Sequence, residues 1–260
     1  METVRSADGT VIAFDRSGTG LPLVLIGGAF NTRMSASGLA ALLSDRFTVY
    51  CYDRRGRGDS GGTRDAGDYD IEWEVQDLAA VLSATGGDAF VYGHSSGGSI
   101  ALESSARGLA MQKLAVYEPP YAGQDGPTAE FAEKLRSLVE NGHRDEAAAE
   151  FMALVGMPQP MIEQVKQSPY FPSMAAMAHT LPYDVALVNG GVAPVDRLEK
   201  VTVPALAIAG GSSPAWATNA AQVIAEYVPE ATYVVLQGQD HNVSDEVLAP
   251  VLAQWFGQAV

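Results

Sequence analysis

The sequence predicts an α/β protein with a mostly parallel sheet that helices cover on both faces. Short apolar runs alternate with stretches of helical periodicity along most of the chain. The apolar runs are nearly continuous and rich in β-branched and aromatic residues, which is typical of strands buried on both faces. Alternation of such strands with helices indicates a mostly parallel sheet. One strand-to-helix corner also carries a serine between glycines.

Seven segments are predicted to be strands. The first two are separated by the turn-forming tetrapeptide SGTG, and glycine, proline or aspartate stands close to most of the others. In chain order the seven are VIAFDR (11–16), LPLVLIGG (21–28), FTVYCYD (47–53), AFVYG (89–93), KLAVYE (113–118), PALAIA (204–209) and TYVVLQ (232–237).

Long helices are predicted between and after these strands. Residues 71–87, 215–228 and 245–256 carry apolar side chains at helical spacing, and the first of these segments ends in glycines. Pro250 is expected to kink or distort the last helix.

The alternation of strands and helices stops between Tyr121 and about Arg197. Two segments of this stretch look helical, and the remainder is rich in proline and methionine without a strand pattern. An insertion of this length between two strands suggests a helical cap over the functional face. We therefore expect a core of residues 1–122 and 196–260 and a cap of residues 123–195.

The composition indicates a folded protein with a strongly acidic balance. The chain has 260 residues, of which 47% are hydrophobic, so a sizeable core is expected. Its 16 basic and 31 acidic residues give a net charge of −15, which argues against nucleic acid and anionic membranes as partners. The N-terminus lacks a signal-peptide pattern and no apolar stretch is long enough for a membrane span, so we expect a soluble, cytoplasmic protein. Cys51, the single cysteine, is expected to be buried and unreactive.

The strongest indication of chemistry is the pattern G-x-S-x-G at Gly93-His94-Ser95-Ser96-Gly97. An apolar strand precedes it and a helix is predicted to begin near Ser96, a context that makes this common pattern specific. The corner exposes the hydroxyl of Ser95 near a helix N-terminus, where developing negative charge is favoured. We predict that Ser95 is a covalent nucleophile.

Two further motifs accompany this corner, YDRRGRGDSG (52–61) and GQDHNV (238–243). With them the chain resembles the α/β-hydrolase superfamily over nearly its whole length, because the first is similar to the family's D-x-R-G-x-G-x-S segment and the second to its late G-x-x-H segment. The resemblance implies an α/β-hydrolase fold with an eight-stranded, mostly parallel sheet and an active site at the strand C-termini. It also implies that His241 is the base that takes the proton of Ser95.

The oxyanion hole needs two backbone N–H groups near the nucleophile. One is expected from Ser96 and the other from Ala29, in the loop after the second apolar run. Many relatives carry His-Gly-x in that loop, whereas this chain has Gly27-Gly28-Ala29-Phe30, so the loop lacks a histidine anchor and Phe30 or Gly28 remain alternative donors.

Other side chains are assigned to the surroundings of the site. Phe30, His94 and Trp216 are expected at the substrate-binding site, His94 chiefly as a packing residue beside the nucleophile. Asp53 is expected to brace nearby turn amides. His143 and His179 belong to the cap and are expected to be structural or exposed, and no histidine or cysteine pair stands at metal-ligand spacing, so no metal or other cofactor is expected.

The acid that would orient His241 is missing from its usual place. In the resembled fold it follows the seventh strand, where this chain has AGGSSPAW (209–216) and Ser213 occupies the position. The resemblance implies that the acid can also follow the sixth strand of that fold, which here is KLAVYE (113–118), and we predict that it is Glu118. Neighbouring strands lie only ~4.8 Å apart, so His241 stays within reach. Pro119 is expected to restrict Glu118 to an extended conformation. Asp184 of the cap, or no acid at all, remain alternatives.

The predicted activity is hydrolysis of a carboxylic ester, lactone or thioester through Ser95, His241 and Glu118. The expected substrate is a small to medium neutral molecule, with Met152, Met157 and Met174 as candidate liners of an apolar pocket under the cap. The alternatives are a cofactor-free perhydrolase, a carbon–carbon bond hydrolase, or a non-catalytic binding protein on a decayed hydrolase scaffold. The sequence does not indicate the oligomeric state.

Overall fold

The computed structural model describes residues 1–62, 69–121 and 129–258. Within them, eight strands form one sheet in the order β1-β2-β4-β3-β5-β6-β7-β8. The strands are β1 Glu2–Arg5, β2 Val11–Ser17, β3 Leu21–Ile26, β4 Phe47–Tyr52, β5 Phe90–His94, β6 Lys113–Tyr117, β7 Ala205–Gly210 and β8 Ala231–Leu236. β2 pairs antiparallel with both β1 and β4, and all other neighbours are parallel. The predicted fold class is confirmed.

Seven of these strands correspond to the seven predicted apolar runs. The eighth, β1, was not predicted because Glu2–Arg5 is polar and mostly exposed at the edge of the sheet. The edge position lets β1 form with little apolar burial, since only one of its neighbours is a strand.

Eleven α-helices lie in the described ranges, together with short 3₁₀ turns. They are α1 Ser37–Leu43, α2 Ile71–Ala84, α3 Ser96–Ala106, α4 Ala129–Glu140, α5 Arg144–Leu154, α6 Gln159–Lys166, α7 Phe171–Ala176, α8 Leu181–Leu187, α9 Val195–Leu198, α10 Ala215–Tyr227 and α11 Asp245–Gly257. α11 is not interrupted at Pro250, which lies on its exposed face. None of the described helices is long and apolar enough to cross a membrane.

Apolar side chains fill the space on both faces of the sheet. On one face, Leu78 of α2, Ile100 of α3 and Ile224 of α10 share a buried cluster with the strands. On the other face, Leu39 of α1 and Leu252 of α11 do the same. The near-continuous apolar runs of the strands follow from this arrangement, because alternate side chains enter opposite layers of the core.

Helices α4 to α9 lie between β6 and β7 in chain order, and residues 123–128 of the predicted cap lie outside the described residues. The insertion has apolar clusters of its own. Met152 is buried in one of them, and Met157 and Met174 pack against it, as does Phe30 of the core. These methionines therefore hold the insertion together and join it to the loop after β3.

Candidate active site

Ser95 lies on a sharp corner between β5 and α3. Its backbone has φ 53° and ψ −126°, a conformation that residues other than glycine rarely adopt. The corner closes because its glycines have no side chains. A Cβ on Gly93 would lie 2.4 Å from the Gly97 carbonyl oxygen, and one on Gly97 would lie 2.3 Å from the carbonyl oxygen of Ile26. The G-x-S-x-G pattern is thus a packing requirement of this strand–turn–helix corner.

His241 stands between Ser95 and Glu118. Its Nε2 is 3.2 Å from the Ser95 hydroxyl oxygen, and its Nδ1 is 2.7 Å from Glu118 Oε2. The other carboxylate oxygen of Glu118 accepts a hydrogen bond from the Gly210 N–H at 2.7 Å. The structure therefore brings the three predicted catalytic side chains into one hydrogen-bonded chain.

Glu118 is fully buried but positioned to remain ionised. Burial raises the pKa of this carboxyl, but the His241 ring, the Ser213 hydroxyl and the Gly210 N–H together hold it below its ordinary value. Ser213, at the position where the resembled fold has an acid, is close enough to contribute to this lowering of the pKa, and its buried hydroxyl makes no hydrogen bond to a described residue.

The backbone of Glu118 differs from the sequence expectation. Pro119 was expected to impose an extended conformation, yet Glu118 has φ 45°. Its N–H still donates to the Ile208 carbonyl oxygen of β7, while its carboxylate is held by Gly210 and His241. These hydrogen bonds fix the backbone N–H and the side-chain carboxylate of Glu118. They hold its backbone at a positive φ although the following proline favours an extended conformation.

Asp184, the alternative acid, lies in another part of the site. Its carboxylate accepts hydrogen bonds from the Ser96 hydroxyl at 2.7 Å, from Arg54 at 2.9 Å and from Arg57 at 2.7 Å. All of these groups are buried. The carboxylate bonded to His241 is that of Glu118.

His94 and Tyr117 hold the loop that carries His241. The Nε2 of His94 lies 2.9 Å from the His241 carbonyl oxygen, and the Tyr117 hydroxyl donates to the Asp240 carbonyl oxygen at 2.5 Å. Burial, together with the nearby His241 ring, lowers the pKa of His94 to about 4. His94 is therefore neutral near pH 7 and donates its Nε2 proton to that carbonyl. The role of Tyr117 was not predicted, because a tyrosine in an apolar strand looks like core.

The loop after β3 approaches the nucleophile closely. A Cβ on Gly28 would lie 2.9 Å from the Ser95 Cβ, so only glycine allows this approach. The N–H groups of Ala29 and Phe30 donate no hydrogen bond to any described residue. Both therefore remain candidate donors, with Ser96 at the start of α3 on the other side.

Of the two aromatic residues predicted at the substrate-binding site, Trp216 lies beside His241 and Phe30 lies against the cap. The Trp216 ring lies 5.7 Å from the His241 ring, measured between centroids, and Phe30 meets Phe151 of the cap edge-on at 5.6 Å. Both Phe30 and Trp216 are half-buried. They are suited to contact an apolar part of a bound molecule.

The other residues considered in the sequence analysis make contacts away from the proposed catalytic side chains. Asp53 accepts hydrogen bonds from the backbone N–H groups of Arg33 and Asp59, at 2.6 and 2.9 Å, as a brace of turn amides would. His179 is buried in the cap, with Nε2 2.8 Å from the Gly56 carbonyl oxygen, and His143 is exposed. Burial raises the pKa of the Cys51 thiol to about 12.

Comparison with known proteins identifies similar sequences and structures. The alpha/beta hydrolase family matches residues 18–255. An alpha/beta hydrolase from Sphaerobacter thermophilus is 46% identical with a TM-score of 0.92, and the match covers 98% of this chain and 100% of that one. A hydrolase from Pseudomonas aeruginosa (22% identity, TM-score 0.81, 99% and 98% covered) and an esterase from Thermogutta terrifontis (22%, 0.74, 98% and 97%) share the fold. No curated protein matches the chain.

Proposed function

This chain belongs to the alpha/beta hydrolase family, and from that premise we propose that it is a serine hydrolase of small to medium, neutral carboxylic esters or of related lactones and thioesters. The observation that carries the proposal is the position of His241, within hydrogen-bonding distance of Ser95 on one side and of Glu118 on the other. A serine hydroxyl becomes a useful nucleophile when an adjacent base accepts its proton and a third group orients that base.

The mechanism follows from these contacts. Ser95 Oγ attacks the substrate carbonyl carbon while its proton passes to His241 Nε2. Glu118 accepts the hydrogen bond from Nδ1–H and stabilises the imidazolium that forms. The N–H groups of Ser96 and Ala29 bind the oxyanion. His241 then gives its proton to the departing alcohol, and a water molecule activated by the same histidine releases the acid.

The substrate class rests on the walls of the site. Trp216 places an aromatic ring 5.7 Å from the His241 ring, and Phe30, in the loop that approaches Ser95, is a half-buried apolar side chain packed against Phe151 of the cap. The net charge of −15 disfavours anionic substrates. The esterase from Thermogutta terrifontis has the same fold at 22% identity, which is compatible with ester chemistry on such a scaffold.

The test is covalent labelling together with turnover. A fluorophosphonate probe is expected to modify Ser95, identified by peptide mass spectrometry, and the wild type is expected to hydrolyse 4-nitrophenyl butyrate. Ser95→Ala should remove labelling and reduce turnover by on the order of 10⁴-fold or more.

A matched control is Ser104→Ala. Ser104 is a fully buried serine of the same helix α3 whose hydroxyl has no hydrogen-bond partner among the described residues, so its loss should leave activity intact. Absence of both labelling and ester turnover in the folded wild type would contradict the proposed function and favour a non-catalytic scaffold.

A further inference from the structure

Four ionisable side chains form a buried cluster next to the proposed oxyanion hole. They are Arg54 and Arg57 from the loop after β4, Glu74 of α2 and Asp184 of the cap helix α8, each no more than 2% exposed. Arg54 pairs with Glu74 and with Asp184, and Arg57 pairs with Asp184. Buried ion pairs contribute little net stability, because desolvation offsets their attraction, so their presence calls for another explanation.

Arg57 binds the loop that carries one proposed oxyanion donor. Its Nη1 donates to the Gly28 carbonyl oxygen at 2.6 Å. That carbonyl belongs to the same peptide unit as the Ala29 N–H, and a trans peptide is planar with these two groups on opposite sides. Fixing the carbonyl toward Arg57 therefore fixes the direction of the Ala29 N–H.

The same cluster holds the residue with the other proposed donor. The Ser96 hydroxyl donates to Asp184 Oδ1 at 2.7 Å and accepts from Arg54 Nη1 at 3.0 Å. The side chain of Ser96 is thus tied down on one side of its backbone. The Ser96 N–H is thereby kept at a defined place at the start of α3.

Asp184 connects the residue that holds the Gly28 carbonyl with the residue that carries the other donor, because its carboxylate accepts hydrogen bonds from both Arg57 and Ser96. Burial raises the pKa of Asp184, but the Arg57 and Arg54 guanidiniums more than offset this and hold the pKa below its ordinary value. The carboxylate therefore keeps its charge across the neutral range. It belongs to the cap, whereas its partners belong to the core.

We propose that Arg57 and Asp184 are positioning residues of the oxyanion hole, through which the cap fixes the two backbone donors on either side of Ser95. This chain has Gly27 where the resemblance implies a histidine in many relatives, and its loop after β3 is held by the hydrogen bond from Arg57 to the Gly28 carbonyl oxygen. The inference rests on the proposed serine-hydrolase function, since it concerns how that site stabilises the oxyanion.

The experiment compares two charge-balanced double variants. Arg57→Met/Asp184→Asn removes the pair that holds the donor peptides and leaves Arg54 with Glu74. Arg55→Met/Asp77→Asn removes a buried pair, bonded at 2.7 Å, that joins the same loop to α2 and is not bonded to the residues of the oxyanion hole. The measurements are kcat and KM for 4-nitrophenyl butyrate, the inhibition constant of an alkyl trifluoromethyl ketone, whose adduct with serine places an oxyanion in the hole, and the unfolding free energy.

In the first variant, kcat should fall by about 10- to 100-fold, somewhat less than the ~10²–10³-fold loss of a whole donor. KM should change by less than about twofold and affinity for the ketone should fall by the same factor as kcat, since both report oxyanion binding. The control variant should lose stability while its kcat per folded molecule and its ketone affinity stay unchanged. Should the first variant fail to fold, Ser96→Ala removes a single anchor and should give a smaller parallel loss in both quantities.

Unchanged kcat and ketone affinity in the first variant, or equal losses in both variants, would overturn the inference and leave the proposed function standing. A wild type that neither turns over the ester nor reacts with a fluorophosphonate would overturn the proposed function, and the inference with it.

Discussion

At the scale of single residues, Phe30, Ser95 and Glu118 share an unusual backbone. They are the non-glycine residues with positive φ among the described part of the chain, at 59°, 53° and 45°. Each such conformation costs on the order of 1–3 kcal/mol and persists only where the surroundings fix it. All three belong to the proposed active site, so the strain is concentrated where the geometry of the oxyanion loop, the nucleophile and the acid is set.

The role of Glu118 can be tested by Glu118→Gln. The amide removes the negative charge that stabilises an imidazolium and can favour the wrong tautomer of His241, so turnover should fall by about 10³–10⁴-fold by analogy with other triads. Adding Ser213→Asp should restore part of the loss, because Ser213 lies beside the carboxylate. Activity is measured with 4-nitrophenyl butyrate and folding by circular dichroism. Near-normal turnover in a folded Glu118→Gln protein would show that Glu118 is not the acid.

The lowered pKa of His94 predicts that the protein loses stability in mild acid. Its pKa is lowered from 6.5 to about 4 in the folded state, so the unfolded chain binds the proton first as the pH falls. The difference between the two pKa values contributes about 3 kcal/mol to the free energy of unfolding. This contribution is fully present above pH 6.5 and is lost as the pH falls to about 4.

His94→Gln should remove this part of the pH dependence, because an amide can still donate to the His241 carbonyl but does not titrate. Urea unfolding between pH 4 and 7 measures the effect, with His143→Gln as the control because His143 is exposed. If the slope of stability against pH were the same in His94→Gln and wild type, burial of a neutral His94 would not be its source.

At the scale of elements, the strands and long helices could be predicted because burial on both faces produces apolar runs of recognisable length. The resemblance to the α/β-hydrolase fold, in which the acid can follow strand 7 or strand 6, also indicated Glu118 at the end of β6, because Ser213 occupies the strand 7 position. The sequence did not indicate the turned backbone of Glu118 or the Arg54–Arg57–Asp184 cluster. Both depend on contacts between segments far apart in the chain, and local preferences such as that of Pro119 carry no information about them.

The close packing of α3 against β3 at Gly97 leads to a prediction at this scale. Gly97→Ala should destabilise the protein by about 2–3 kcal/mol, because the added Cβ would meet the Ile26 carbonyl oxygen at 2.3 Å. Gly87→Ala is the matched control, with no atom within 4 Å of an added Cβ, and should change stability by less than about 0.5 kcal/mol. Urea denaturation measures both. Equal stabilities of the two variants would mean that α3 can move away from β3 at little cost.

At the scale of the whole molecule, family membership follows from three short motifs on an alternating strand–helix pattern. The proposed substrate class does not follow in the same way, because it rests on contacts between segments that lie far apart in the chain. Phe30 of the loop after β3 meets Phe151 of the cap, and Trp216 at the start of α10 lies beside His241; both contacts form only in the folded chain. The net charge of the whole chain, by contrast, can be read directly from the sequence.

The acidic charge predicts discrimination against anionic esters. Among the described residues, four of the basic side chains and six of the acidic ones are buried, so most of the acidic excess lies on the exposed surface. Mono-4-nitrophenyl succinate should therefore have a kcat/KM at least about 10-fold below that of the neutral 4-nitrophenyl pentanoate at low salt. The difference in kcat/KM between the two esters should become smaller as the ionic strength rises from about 0.01 M to about 1 M, because the screening length falls from ~30 Å to ~3 Å. The neutral ester provides the control, since its kcat/KM should not depend on salt. A preference for the anionic ester, or a gap independent of salt, would mean that a local cationic contact rather than the overall field selects the substrate.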